Sequence, residues 1–122
     1  MTALRKNLMN EIDHRPWGLF EVLLDEKYTK VKKILVNPGK RLSYQSHTKR
    51  EETWVIVKGT LTIIINDIEH TRAYGELIHI PQGSKHRAIN KTDKIVEFIE
   101  VQTGNYFGED DIVRYSDDFN RA

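Results

Sequence analysis

The chain has 122 residues, no cysteine and a formal net charge of +1 at pH 7. This length predicts a single domain over residues 1–122, the absence of cysteine excludes disulfides and thiolate ligands, and the balanced charge argues against binding to nucleic acid. No apolar run approaches the ~20 residues of a membrane helix, and the N-terminus lacks the apolar segment of a signal peptide, so we expect a cytoplasmic protein without membrane contact.

Strand patterns begin after a polar N-terminal arm at 1–14, for which we expect a loose segment or a short helix. A turn then leads into alternating strands at 18–24 and 28–36. The second strand has apolar residues on both faces, so one of its adjacent lysines, Lys32 or Lys33, is expected to face inward. Further strands are predicted at 42–47, 52–58, 60–66, 76–80 and 94–102. Short strands separated by turn signals predict an all-β barrel or sandwich.

Two other segments carry specific expectations. Residues 63–65 are apolar on both faces of their predicted strand, which favours an outer cover by a second subunit and therefore a homodimer. After Gly104 the chain becomes acidic, and a short helix is predicted near residues 110–115.

Four side chains of metal-ligating type lie within residues 39–90 at spacings that favour one site. Gln45 and His47 are two residues apart and share one face of a strand. Glu52 begins the next strand, and His86 comes from a separate strand-loop segment. Two imidazoles, one carboxylate and one amide oxygen suit a borderline divalent ion, with zinc as the first choice and manganese, cobalt, nickel or iron as alternatives.

The residue clusters around these four positions resemble the two sequence motifs of the cupin family, which usually has His where this chain has Gln45. Segments 15–18, 38–47 and 99–104 narrow the resemblance to the cupin domain of type II mannose-6-phosphate isomerases, in which Gln is usual at that position. In longer members of that family the domain follows a mannose-1-phosphate guanylyltransferase domain.

The resemblance implies a single all-β cupin domain, a double-stranded β-helix or jelly-roll barrel. The barrel would occupy about residues 15–104, between the arm and a tail at 105–122. It also implies isomerisation of mannose 6-phosphate to fructose 6-phosphate, with the phosphorylated sugar as the ligand.

Such an aldose–ketose isomerisation needs a Lewis acid, a base that moves a proton between adjacent carbons, and cations that hold the phosphate. The candidate sugar or phosphate contacts are Lys33, Arg50, Lys85 and Arg114. Arg50 and Arg114 are also candidate catalytic residues, since they lie in segments that resemble the family. The candidate bases are Glu100, Glu109, Asp110 and Asp111, and the sequence leaves the choice among them open.

Two functions from other classes compete with the isomerase. One is a non-catalytic cupin that binds a sugar phosphate or a nucleotide sugar for a partner enzyme. The other is an iron-dependent dioxygenase, against which Gln45 and the polar surroundings argue. Guanylyltransferase activity is not expected, because the chain has neither a glycine-rich phosphate loop nor the length for a second domain.

Overall fold

A computed structural model describes residues 11–118 of the chain. Most of the predicted arm at 1–14 lies outside these described residues. Within them the chain forms eleven strands and one 3₁₀ turn. The strands are β1 (Ile12–Arg15), β2 (Gly18–Asp25), β3 (Thr29–Val36), β4 (Tyr44–His47), β5 (Arg50–Lys58), β6 (Thr60–Ile65), β7 (Ile68–Ala73), β8 (Leu77–Ile80), β9 (His86–Ile89), β10 (Val96–Gly104) and β11 (Ile112–Ser116).

The strands form two sheets that face each other. The first sheet has the order β1-β2-β3-β10-β5-β8, and the second has the order β11-β4-β9-β6-β7. Every pairing between these strands is antiparallel. No helix within residues 11–118 has the length and apolar character that crossing a membrane requires. The predicted all-β fold is confirmed.

The alternation along β5 and β10 explains why these segments form central strands. Every second residue of each is buried, and the residues between them are mostly half-buried, as the period of two predicts. Apolar inward residues gather at one end of the barrel. They form a core that includes Ile34, Val36, Ile56, Leu61, Ile63, Val96 and Phe98.

Buried polar groups close this end of the barrel with hydrogen bonds. The Asn90 side chain is fully buried, and its Nδ2 donates to the carbonyls of Val36 and Lys94. Its Oδ1 accepts from the backbone and the hydroxyl of Thr92. Asn90 thereby stabilises the turn that follows β9.

The structure corrects the prediction for the tail. A helix near 110–115 is wrong, because a 3₁₀ turn at Glu109–Asp111 is followed by strand β11. This strand pairs with β4 and thereby satisfies the backbone groups of what would otherwise be a sheet edge. Residues 12–14 of the predicted arm likewise form β1 together with Arg15, and this strand pairs with β2.

Candidate metal and substrate site

A pocket opens between the two sheets above the apolar core. All four predicted metal ligands line its wall: Gln45, His47, Glu52 and His86. Gln45 and His86 are register partners in the pairing of β4 with β9, which brings the two sequence clusters together. Convergence of these residues therefore follows from strand pairing.

His47, Glu52 and His86 form a buried cluster. One ligand atom from each lies within 4.8 Å of the others, and the three residues are 2–4% exposed. Nδ1 of His47 is 3.6 Å from Oε2 of Glu52, and Nε2 of His86 is 4.0 Å from Oε1. Ligand atoms about 2.1 Å from a tetrahedral ion lie roughly 3.4 Å apart, so these separations fit a shared divalent ion.

Neighbouring groups orient the ligand side chains. Nδ1 of His86 lies 3.0 Å from the Ser84 carbonyl and must donate to it, which leaves Nε2 unprotonated towards the cluster. Trp54 donates its indole N–H to Oε1 of Glu52 at 2.9 Å. These contacts are typical supports of metal-binding side chains.

The amide of Gln45 is oriented in the same way. Its Nε2 donates to Oγ of Ser43 at 2.9 Å, so its Oε1 points towards His47, 3.1 Å from Nε2. Oε1 of Gln45 is therefore beside the Nε2 edge of the His47 ring, whereas the Nδ1 edge of that ring faces Glu52. The donor set of two imidazoles, a carboxylate and an amide oxygen suits a borderline divalent ion.

Both histidines are held neutral, which is the form that binds metal. Burial, together with the positive charge of Arg50, lowers the pKa of His47 to about 2. Burial also lowers the pKa of His86, although the bond to the Ser84 carbonyl opposes that shift. A neutral imidazole has one unprotonated nitrogen that can bind an ion. In His86 it is Nε2, towards the cluster, whereas Nε2 of His47 accepts a hydrogen bond from Arg50 that an ion at this atom would replace.

Arg50 lies inside the barrel, among the candidate metal ligands. It is 4% exposed, and its Nε donates to Oε2 of Glu52 at 3.1 Å. Its Nη2 is 2.8 Å from Nε2 of His47, and its Nη1 donates to the Phe107 carbonyl. Arg50 and Glu52 are two residues apart on β5 and therefore share its inward face. Its guanidinium therefore contacts candidate ligands directly.

Glu100 is the candidate base that lies inside the barrel. It is 6% exposed on the inward face of β10, lines the pocket, and is the register partner of Trp54 on one side and Lys32 on the other. Burial raises the pKa of Glu100 to about 7, and the charge of Glu52 adds to the shift. Gln102 donates a hydrogen bond to its carboxylate.

The other candidate carboxylates are in the tail. Glu109 lines the pocket and lies 3.8 Å from Arg15. Asp110 accepts a hydrogen bond from the hydroxyl of Tyr106 and is not part of the pocket wall. Asp111 accepts hydrogen bonds from the turn between β4 and β5. Of the tail carboxylates, Glu109 alone lines this pocket.

Two predicted substrate contacts lie outside the pocket. Nζ of Lys33 is 3.9 Å from Glu21 on the outer face of the first sheet. Lys85 is exposed, with its Nζ over the Tyr115 ring. Each alternates with an inward neighbour, Lys32 and His86 respectively, and so faces away from the barrel interior. Both placements correct the sequence-based expectation.

The pocket also contains cations that the sequence analysis did not select. Arg15 and Lys32 line it, together with the predicted Arg114. The sequence already placed Lys32 on the same strand face as Ile34 and Val36, because residues two apart share a face. The equally apolar opposite face of β3 prevented a choice between the two lysines.

Comparison with known proteins agrees with this architecture. The family model described as "Mannose-6-phosphate isomerase C-terminal" matches residues 5–117. A mannose-1-phosphate guanylyltransferase of Salmonella montevideo is 43% identical over 109 residues, which are 88% of this chain and 23% of that protein. A mannose-1-phosphate guanylyltransferase of Sinorhizobium fredii is 40% identical over 104 residues, which are 85% of this chain and 20% of that protein.

The chain thus spans less than a quarter of the length of these curated relatives. Among solved structures, a protein of Silicibacter pomeroyi described as a sugar phosphate isomerase from a cupin superfamily has a TM-score of 0.62 and 20% identity. That match covers 74% of this chain and 66% of the other, and it shows the cupin fold. The chain belongs to the mannose-6-phosphate isomerase C-terminal family and folds as a cupin barrel.

Proposed function

We propose that this domain is a metal-dependent sugar-phosphate isomerase that converts mannose 6-phosphate to fructose 6-phosphate. One observation carries the proposal. A buried carboxylate, Glu100, lines the same pocket as the cluster of His47, Glu52 and His86. A proton-transferring group beside a candidate Lewis-acid site is the minimum that aldose–ketose isomerisation requires. The family description and the named relatives support a sugar phosphate as the ligand.

The metal is assigned to Gln45, His47, Glu52 and His86, with zinc as the first choice. When bound, a divalent ion would supply Lewis-acid polarisation of the sugar carbonyl and the adjacent hydroxyl. Trp54 would hold Glu52 in place through its indole N–H.

Glu100 would carry the proton between the two carbons. In the forward direction its carboxylate takes the proton from C2 of the aldose and returns it to C1, while the hydroxyl proton moves from O2 to O1. A group that titrates near neutral pH can accept and release a proton with similar ease. The wall beside it, formed by Trp54 and Phe98, limits the access of water.

Arg50 and Arg114 keep proposed roles at the sugar. Arg50 is bonded to Glu52 and His47, so it would orient them and contact sugar oxygens near the ion rather than hold a distant phosphate. Arg114 and Glu109 line the pocket. The homodimer and the cytoplasmic location stay predictions from the sequence.

Isotope exchange tests the reaction. Wild-type protein loaded with zinc and incubated with mannose 6-phosphate in heavy water is expected to incorporate deuterium at C1 or C2, as followed by NMR. Glu100→Gln is expected to reduce the exchange rate by about 10²–10⁴-fold, which is the usual range for losing a general base. Glu97→Gln, on the outer face of the same strand, is the matched control and should exchange at the wild-type rate.

The opposite result would favour another function. If wild-type, metal-loaded protein gives no exchange, the isomerase proposal is wrong for this substrate. The favoured function would then be a non-catalytic module that binds a sugar phosphate. The curated relatives support this alternative, because they are named for guanylyltransferase activity and this domain makes up only about a fifth of their length.

A further inference from the structure

The first sheet carries a row of inward side chains on five successive strands. In the order of the sheet they are Arg15 on β1, Phe20 on β2, Lys32 on β3, Glu100 on β10 and Glu52 on β5. All five line the pocket. Because neighbouring strands lie about 4.8 Å apart, Lys32 lies two strands, roughly 10 Å, from Glu52, and Arg15 lies two strands further away. The pocket is thus divided into a reactive end and a cationic end.

Lys32 differs from the other lysines of β3. Its Nζ lies 4.4 Å from the centroid of the Phe20 ring. Lys30 pairs with Asp25 and Lys33 pairs with Glu21, each at 3.9 Å. Lys32 is the cross-strand partner of Glu100 and its charge acts on that carboxylate, but among residues 11–118 its ammonium forms no ion pair within 4.0 Å. An inward lysine on an aromatic ring has a charge that a ligand anion can still pair with.

Arg15 contacts the same ring from the neighbouring strand. Its guanidinium carbon lies 5.2 Å from the centroid of Phe20. Asp13 accepts hydrogen bonds from its Nε and Nη2 at 3.1 and 3.0 Å, and Glu109 is 3.8 Å from Nη2. These carboxylates hold the guanidinium in place and offset part of its charge. Lys32 therefore provides the larger share of the attraction for an anion.

Arg50 cannot serve the same purpose without losing its own partners. Its guanidinium is already bonded to Glu52, to His47 and to the Phe107 carbonyl. A phosphate at Arg50 would also lie beside the candidate metal ligands, where the reacting carbons of the sugar must be. A hexose 6-phosphate has its reacting carbons and its phosphate at opposite ends, so it requires a second cationic point away from the cluster.

We propose that Lys32, assisted by Arg15 across the Phe20 ring, binds the phosphate group of the sugar phosphate. This inference rests on the proposed function, because it assumes that the reacting end of the ligand lies at Glu52 and Glu100. The ammonium supplies a point charge, and the guanidinium supplies directed donors to the phosphate oxygens.

Calorimetric titration with defined ligands tests the subsite. The probes are mannose 6-phosphate, mannose and inorganic phosphate, each titrated into metal-loaded protein. Lys32→Met is expected to weaken binding of mannose 6-phosphate at least tenfold and to weaken inorganic phosphate, with mannose binding unchanged. Lys33→Met is the matched control, since that lysine lies on the outer face of the same strand, and it should bind all three probes as the wild type does.

A charge-conserving variant separates binding from folding. Lys32→Arg is expected to retain mannose 6-phosphate affinity within a few fold of wild type, and thermal melting checks that each variant is folded. If Lys32 acted only as a counter-charge to Glu100, Lys32→Met would change the pH profile of kcat and leave the affinity for mannose 6-phosphate intact. That outcome, or wild-type protein that binds neither phosphorylated probe, would overturn the subsite.

The subsite and the isomerase can fail separately. If Lys32→Met loses affinity for mannose 6-phosphate while wild-type protein gives no deuterium exchange, the phosphate subsite stands and the isomerase proposal falls. If wild-type protein isomerises the sugar and Lys32→Met has an unchanged KM, the isomerase proposal stands and the subsite falls.

Discussion

The two ends of the barrel interior are built by the same strands with opposite chemistry. On β10, Val96 and Phe98 are buried in the apolar core, and Glu100 and Gln102 continue the same inward face into the pocket. On β5, the inward face changes from charged residues to apolar ones in the reverse direction, and Trp54 lies at the boundary. The rings of Trp54 and Phe98 meet there at 4.7 Å between centroids.

The difference between these ends shows which part of the molecule stabilises the fold. Burial of apolar side chains favours folding, whereas buried charges must recover the lost contact with water through hydrogen bonds or a ligand. The buried carboxylate of Glu52 accepts such hydrogen bonds from Trp54 and Arg50. We therefore expect substitutions at the apolar end to change the free energy of unfolding, and substitutions at the polar end to change ligand binding and activity.

The largest effect on stability is expected from Phe98→Ala. Phe98 is fully buried between Ile34 and Ile56, its partners on the adjacent strands, so truncation removes apolar contacts and leaves a cavity. We expect the free energy of unfolding to fall by about 3–5 kcal/mol, as measured by urea denaturation. Phe98→Leu, which fills most of the space, is the control and should lose less. An equal loss for both variants would contradict a cavity effect.

The next largest effect is expected from metal binding at the polar end. A divalent ion at a concentration of 100 times its Kd should raise the free energy of unfolding by about 2.7 kcal/mol. His86→Ala should abolish this increase, since it removes a buried ligand. His79→Ala is the control, because that histidine is half-exposed outside the barrel and contacts Thr53. Equal stabilisation of both variants by the ion would exclude the proposed ligand set.

A pH-dependent effect of similar size is expected for Glu100→Gln. The folded-state pKa of Glu100 is raised to about 7, so the folded protein binds more protons than the unfolded chain between pH 4.5 and 7. The wild type therefore loses stability relative to the variant as pH rises through that window, by about 3 kcal/mol at its upper end. Denaturant titrations of both metal-free proteins at several pH values measure the difference. A difference independent of pH would show that Glu100 is not buried as a titrating group.

The smallest effect is expected at the junction of the tail with the site. Asp111 accepts hydrogen bonds from the backbone N–H groups of Thr48 and Lys49 and from the Thr48 hydroxyl. Partial burial would raise the pKa of Asp111, but these hydrogen bonds outweigh it and hold the pKa below the ordinary 3.8. We expect Asp111→Asn to lose about 1 kcal/mol of stability near neutral pH.

The sign of this effect can be checked in acid. A lowered folded-state pKa contributes stability above the unfolded value, and that contribution is lost as pH falls through the folded value. The difference between wild type and Asp111→Asn should therefore shrink below pH 3.8, as followed by acid denaturation. Asp93→Asn, at an exposed position, is the control and should match the wild type throughout.

The sequence by itself determined the all-β class and the grouping of the four candidate ligands. Both depend on short-range patterns. One is the period of two along each strand, and the other is the close spacing of Gln45, His47 and Glu52 on the two sides of a single turn. The same period placed Glu100 on one strand face with Val96 and Phe98, and the structure then showed that this face is the inward one.

Only the tertiary structure decided which face of β3 is inward and where the tail pairs. Lys32 and Lys33 could not be distinguished, because apolar residues occupy both faces of that strand and the contact with the second sheet selects one of them. The tail forms β11 rather than a helix because the edge of β4 offers it backbone partners. Such choices depend on groups far apart in the chain, whose pairing local sequence patterns do not encode.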